Sequence, residues 1–222
     1  MFIPIKDENP TRCFPFVTIT FIGLNTVIFF YQLFSPEGLN YFIYRMGAIP
    51  YELTHFRAIP HFPRLFPPLT LLTSMFLHGS PLHLLGNMLY LWIFGNNIED
   101  YLGSFRFILF YITSGLAASL THIIFNPGST VPMIGASGAI AGVLGAYLVL
   151  FPNHRVLTFV FLIFYIDIIP VPAAFLLILW FILQVMNVGL GGGVAWFAHI
   201  GGFLAGVVLI NTLHRRKKAW IN

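Results

Sequence analysis

The sequence predicts an all-α, polytopic membrane protein built as a bundle of six transmembrane helices. Composition is the first reason: 58% of the 222 residues are hydrophobic and only 8% are charged, where a soluble domain carries about 25% charge. With 25 phenylalanines and a mean hydropathy of +0.85, one interior would not hide the apolar surface, so lipid must solvate much of it. Segmentation is the second reason, because six apolar stretches reach or approach the roughly 20 residues that cross a bilayer. The third is the placement of positive charge, which fits an even number of crossings with both termini in the cytoplasm.

Residues 1–15 read as a short cytoplasmic tail, and the first span follows at 16–34. That run is longer than the apolar part of a signal peptide and no small-x-small cleavage site follows it, so it is expected to remain as a helix. Residues 35–80 form a long exoplasmic loop, aromatic and proline-rich, expected to pack on or into the outer leaflet. Spans two and three are 81–98 and 105–125, with Arg106 marking the cytoplasmic turn between them. Span four, 137–151, is short, which a bilayer tolerates when its outer end starts below the surface after a loop buried in protein or facing water. The stretch 126–132, rich in proline, glycine and hydroxyls, is such a loop. Residues 156–169 are very apolar but run into Pro170 and Pro172, and read as a cytoplasmic interfacial segment beside Arg155. Spans five and six are 171–188 and 195–213, after which the basic run at 214–218 anchors the tail 214–222 inside. Arg45, Arg57 and Arg64 in the outer loop run against the charge rule, as long loops are allowed to do. No repeat divides the chain, so 16–213 is read as one membrane domain.

Several function classes drop out. The net charge of +4 is dispersed except at the C-terminus, which argues against nucleic acid. The single cysteine, Cys13, excludes an internal disulfide. His78, His83, His122 and His199 invite a metal reading, but there is no HExxH and no carboxylate at their depth, so no metal is expected. A transporter would show more intramembrane charge or inverted repeats. Glu99 and Asp100 read as interfacial charges, with Arg106 as a candidate partner.

Polar side chains inside a bilayer are costly and face the bundle interior, so those sharing a depth are functional candidates. At about 1.5 Å per residue from each cytoplasmic end, Ser137, His199, His83 and Asn87 all fall about 18–24 Å up, in one layer toward the outer face. A serine beside a histidine makes a nucleophile and its general base. Ser137 also starts a helix, whose free N–H groups point to where an oxyanion would form; His83 and Asn87, at i and i+4, would add donors there. Gly138, Gly142 and Gly145 on span four and the Gly202-to-Gly206 GxxxG on span six would let the two backbones approach. The plainer reading is that Gly135-Ala136-Ser137-Gly138 is a packing face and His199 an interhelical donor. His78 is shallower and reads as structural. Asp167 is expected across the membrane from Ser137, which leaves a dyad without a carboxylate.

With these residues in place, the chain resembles the rhomboid intramembrane serine proteases, and among them the basic six-helix bacterial form. The matching motifs are GxSG at Gly135–Gly138, HxxxN at His83–Asn87 and AHIGGFLAG from Ala198 to Gly206, in the family's order. The resemblance implies Ser137 as nucleophile, His199 as general base, and His83 and Asn87 as partners of the Ser137 N–H in the oxyanion hole. It implies a structural role for Glu99, a lateral gate at span five and a mobile cap at 188–197. It further implies single-span transmembrane proteins as substrates, cut near the outer face at helix-weakening residues and without a cofactor. Small size and the lack of targeting extensions lead to the expectation of a bacterial inner membrane. Many members carry a Trp-Arg pair in the first loop, where this chain has Leu69-Thr70. A catalytically silent relative that binds transmembrane segments is the alternative, and such relatives typically lack the serine or the histidine.

Overall fold

Ser137–Leu150 (α8) is the centre of the fold: every residue from Ala139 to Tyr147 is buried, in a helix with no polar face at all. A helix apolar all round is stable only when other helices surround it. The computed structural model describes residues 2–57, 65–162, 165–190 and 193–213. Trp196–Thr212 (α10) and Ser104–Phe125 (α7) pack against α8 most extensively. Glycine makes that contact possible: a Cβ on Gly202 would collide with the Gly138 carbonyl oxygen, and one on Gly206 with the carbonyl of Gly142. The glycine faces expected from the motif spacing therefore do meet.

Around this pair run Phe16–Phe34 (α1), a helical run made of Pro81–Tyr90 (α5), a π turn at Leu91–Gly95 and Asn96–Leu102 (α6), and Ala173–Met186 (α9). α1 and α7 are long and apolar enough to cross a membrane by themselves, whereas α8, α9 and α10 are shorter apolar helices. The segment between α1 and α5 folds into Gly38–Met46 (α2), Pro50–His55 (α3), Pro67–Thr73 (α4) and a 3₁₀ turn at Ser74–Phe76. Among the described residues, main-chain bonds help to anchor it. Ala48 and Met133 exchange N–H···O bonds of 3.0 and 2.7 Å, and Gly135 N–H donates to the Ser74 carbonyl at 2.8 Å.

One expectation is corrected here. The chain is mostly helical rather than all-α, because part of 156–169, expected as a cytoplasmic interfacial segment, and part of 1–15, expected as a short cytoplasmic tail, lie in strands. Phe2–Asp7 (β1), Arg155–Leu162 (β2) and Tyr165–Pro172 (β3) form an antiparallel sheet in the order β1-β2-β3. Val156, Thr158 and Val160 are buried while Leu157, Phe159 and Phe161 are more open, the period of two that β-branched and aromatic residues favour. Pro170 and Pro172 sit on the edge strand, where a missing N–H costs no ladder bond. The basic run at 214–218, expected as an anchor, lies outside the described residues.

Glu99 is likewise no interfacial charge. It is 2% exposed and accepts from Val17 N (2.9 Å), Thr18 N (2.8 Å), Thr18 Oγ1 (2.8 Å) and Ser104 Oγ (2.8 Å). A carboxylate there satisfies free N–H groups of the first turn of α1 and meets the positive end of its dipole. Asp100 accepts from the N–H groups of Arg12 and Cys13 at 3.2 and 3.0 Å, tying the approach to the same helix.

Asp7 pins the sheet to the bundle by accepting from Asn97 Nδ2 (2.6 Å) and the Tyr147 hydroxyl (3.0 Å). Burial outweighs these bonds and raises its pKa above the ordinary aspartate value. A raised acid pKa means that the folded state holds the proton more tightly, so this group's contribution is full below the unfolded pKa and is lost as pH rises through the folded one. The melting temperature of the wild type minus that of Asp7→Asn should therefore grow on acidification from about pH 7 to about pH 4. Thermal unfolding in micelles measures it, and a difference that shrinks on acidification contradicts the assignment.

Candidate active site

Three helices begin at the end of the bundle remote from the sheet, and each delivers one candidate from its first turn. Ser137 opens α8, His199 is the fourth residue of α10, and His83 is the third residue of α5. Ser80 caps α5 by accepting from the His83 N–H at 3.1 Å, which fixes where that helix starts. The loop before Ser137 is held by the Ala48–Met133 pair and enters α8 through Gly135, whose φ of +114° lies where side chains are strained. A Cβ on Gly135 would also stand 2.7 Å from His83 Nε2. Only glycine passes here.

Ser137 Oγ lies 2.8 Å from His199 Nε2, across the glycine contact of α8 and α10. His199 Nδ1 lies 2.8 Å from Gln184 Oε1 on α9. The Trp180 ring is 5.9 Å from the imidazole and the Trp196 ring 6.0 Å, at 90° to it. His83 reaches the backbone just before Ser137, and Asn87 Nδ2 is 3.6 Å from where a Gly135 Cβ would sit. The Asn87 amide meets His78 Nε2 at 2.9 Å, and the His78 N–H reaches Gln32 Oε1 at 3.3 Å. His78 is fully buried, so it supports Asn87 from behind rather than standing apart as a shallow residue.

These groups face a cavity of about 860 Å³ lined by His83, Asn87, His122, Ser137, Gln184, Trp196 and His199. Ser137, His199, His83 and Asn87 are thus brought to one wall-lined space. Asp167 lies on β3, beyond the C-terminal end of α8, and takes no part in it. Among the described residues no group of three His, Cys, Asp or Glu side chains is placed to hold a metal. Residues 191 and 192 of the expected cap at 188–197 lie outside the described residues, whereas Gly193, Val194 and Trp196 line the cavity. Sequence reasoning missed Gln184, Trp180 and the support from His78. A lone glutamine in an otherwise apolar helix was the available signal.

The family profile described as the Rhomboid domain matches residues 67–216. The chain belongs to the rhomboid family. It is 34% identical over 151 residues to Rhomboid protein 1, mitochondrial, of Saccharomyces cerevisiae, covering 63% of this chain and 40% of that protein. RHOMBOID-like protein 4 of Arabidopsis thaliana is 36% identical over 161 residues, 68% of this chain and 36% of the relative. Rhomboid protease GluP of Bacillus subtilis is 42% identical over 85 residues, 38% of this chain and 16% of the relative. The chain spans less than half the length of each of these relatives. Rhomboids are membrane proteins, and these relatives come from a yeast mitochondrion, a plant and a bacterium. Family membership therefore gives this rhomboid a membrane, without singling out the bacterial inner membrane expected from its sequence.

Proposed function

We propose that this rhomboid is an intramembrane serine endopeptidase that cuts single-span transmembrane proteins near the outer membrane face. The observation that carries the reading is the 2.8 Å approach of Ser137 Oγ to His199 Nε2 inside a cavity of about 860 Å³. In this reading α1, the α5–α6 run, α7, α8, α9 and α10 are the six spans of a membrane domain covering 16–213, with 35–80 as its outer loop. Lys6, Arg12, Arg106 and Arg155 gather at the sheet end, which the positive-inside rule makes cytoplasmic.

The chemistry follows from the geometry. Ser137 Oγ attacks the scissile carbonyl carbon while its proton passes to His199 Nε2. Negative charge develops on the carbonyl oxygen, and in this reading the Ser137 N–H at the start of α8, the His83 ring and the Asn87 amide donate to it. The imidazolium then protonates the leaving amine, the C–N bond breaks, and a water activated by the same nitrogen hydrolyses the acyl-enzyme. A helical substrate hides its carbonyls in hydrogen bonds, so residues that weaken a helix should mark the cut.

The test is cleavage of a tagged single-span substrate by the purified protein in proteoliposomes, beside Ser137→Ala. Cleavage by the wild type alone is the expected result. Binding without cleavage, across several lipids and substrates, would instead establish the catalytically silent reading.

A further inference from the structure

His199 has two ring nitrogens, and only one of them can serve as the base. We propose that Gln184 is a positioning residue that fixes the tautomer and ring orientation of His199, an inference that rests on the reading of Ser137 and His199 as nucleophile and base. A side-chain amide has a donating end and an accepting end, and its neighbours decide which faces where. Gln184 Nε2 donates to the Trp180 carbonyl at 3.0 Å. A carbonyl oxygen only accepts, so the NH₂ end belongs there and Oε1 is left facing His199 Nδ1 at 2.8 Å. An oxygen opposite Nδ1 selects the Nδ1–H tautomer. The lone pair of Nε2 then points at Ser137 Oγ, 2.8 Å away, ready for its proton. One main-chain carbonyl, acting through two hydrogen bonds, thus determines which nitrogen is the base.

In soluble serine–histidine sites a buried carboxylate commonly does this orienting. At membrane depth a carboxylate is costly, whereas an amide oxygen orients the ring without carrying charge. Gln184 is only 7% exposed, and Trp180 and Trp196 bracket the imidazole that it holds. Its helix is neither that of the nucleophile nor that of the base. The tautomer therefore depends on how α9 seats against α10, where the Phe181 and Phe203 rings stack at 4.7 Å.

The role separates from simple interhelical bonding by comparing Gln184→Met, which keeps the length and removes the acceptor, with Gln184→Glu, which keeps an acceptor at the same reach. Two readouts are taken: kcat and KM on the single-span substrate, and the ¹⁵N spectrum of histidine-labelled protein, with His199→Asn identifying the His199 signals. In Gln184→Met, kcat should fall at least about 10–100-fold, the range for removing the hydrogen-bond partner of a metal-ligating histidine, with KM nearly unchanged. Gln184→Glu, held neutral at this depth, can donate its O–H to the Trp180 carbonyl and keep an oxygen opposite Nδ1, so it should recover most of that loss, and the Nδ1–H signature of His199 should be present in the wild type and lost in Gln184→Met. Equal kcat in wild type and Gln184→Met, or an equal fall in both variants, overturns the proposal and leaves the protease reading standing. If the wild type cuts nothing, the protease reading fails separately and the spectrum decides alone: an Nδ1–H signature that survives in Gln184→Met, or is missing in the wild type, overturns the role of Gln184.

Discussion

Replacing Ser137 by alanine, His199 by alanine, or both together should remove cleavage to the same extent, a fall in kcat of roughly 10⁴–10⁶. The two side chains share one proton across 2.8 Å. Without the imidazole the hydroxyl keeps that proton and attacks poorly; without the hydroxyl the imidazole has nothing to activate. A pair that works as one unit is lost once, so the second substitution should change little. Single-turnover cleavage by the three variants, each checked for a wild-type melting curve, measures this. Losses that multiply in the double variant would show two separable contributions and remove the dyad from the mechanism.

The parts of the molecule that were legible in the sequence share one property: a local pattern encodes them. α1 runs from Phe16 to Phe34 as its apolar run dictates, and α8 starts at Ser137, where a glycine-rich entry and a helical apolar run meet. Counting residues from each helix end placed Ser137 and His199 at one depth, because rise per residue is nearly fixed in a helix. Other features need partners far along the chain. β1 pairs with β2 across some hundred and fifty residues, and because Leu157, Phe159 and Phe161 are apolar on the open face, hydropathy shows no alternation. Glu99 resembles a surface charge until the start of α1 is brought to it. Gln184 and His199 are 15 residues apart in sequence and meet only because α9 and α10 are antiparallel neighbours. The same depth counting, applied to every polar residue within a span rather than to histidine, serine and asparagine, would have drawn Gln184 into the layer.

The second large effect concerns the contact that lets Ser137 and His199 meet. Gly206 faces the carbonyl and Cα of Gly142, and an added Cβ would overlap both. These neighbours are main chain, so no side-chain rotamer relieves the overlap, and α8 and α10 must move apart. Gly206→Ala should therefore cost more than the about 1–3 kcal/mol typical of an overpacked core, where flexible side chains share the strain. Activity should fall further than the population of folded protein. Gly202 makes the matching contact one turn nearer the site, against the Gly138 carbonyl, so separation at Gly206 opens the seam toward Ser137 and His199. A shift of about 1 Å between reacting groups can cost about 100-fold in rate. Gly23→Ala on α1 is the control, because nothing lies within 4 Å of its added Cβ, and alanine there should stabilise the helix slightly. Thermal unfolding and kcat of both variants in the same lipid test the argument. Wild-type values for Gly206→Ala would mean that the helices meet without the close glycine contact, and the approach of Ser137 to His199 would need another cause.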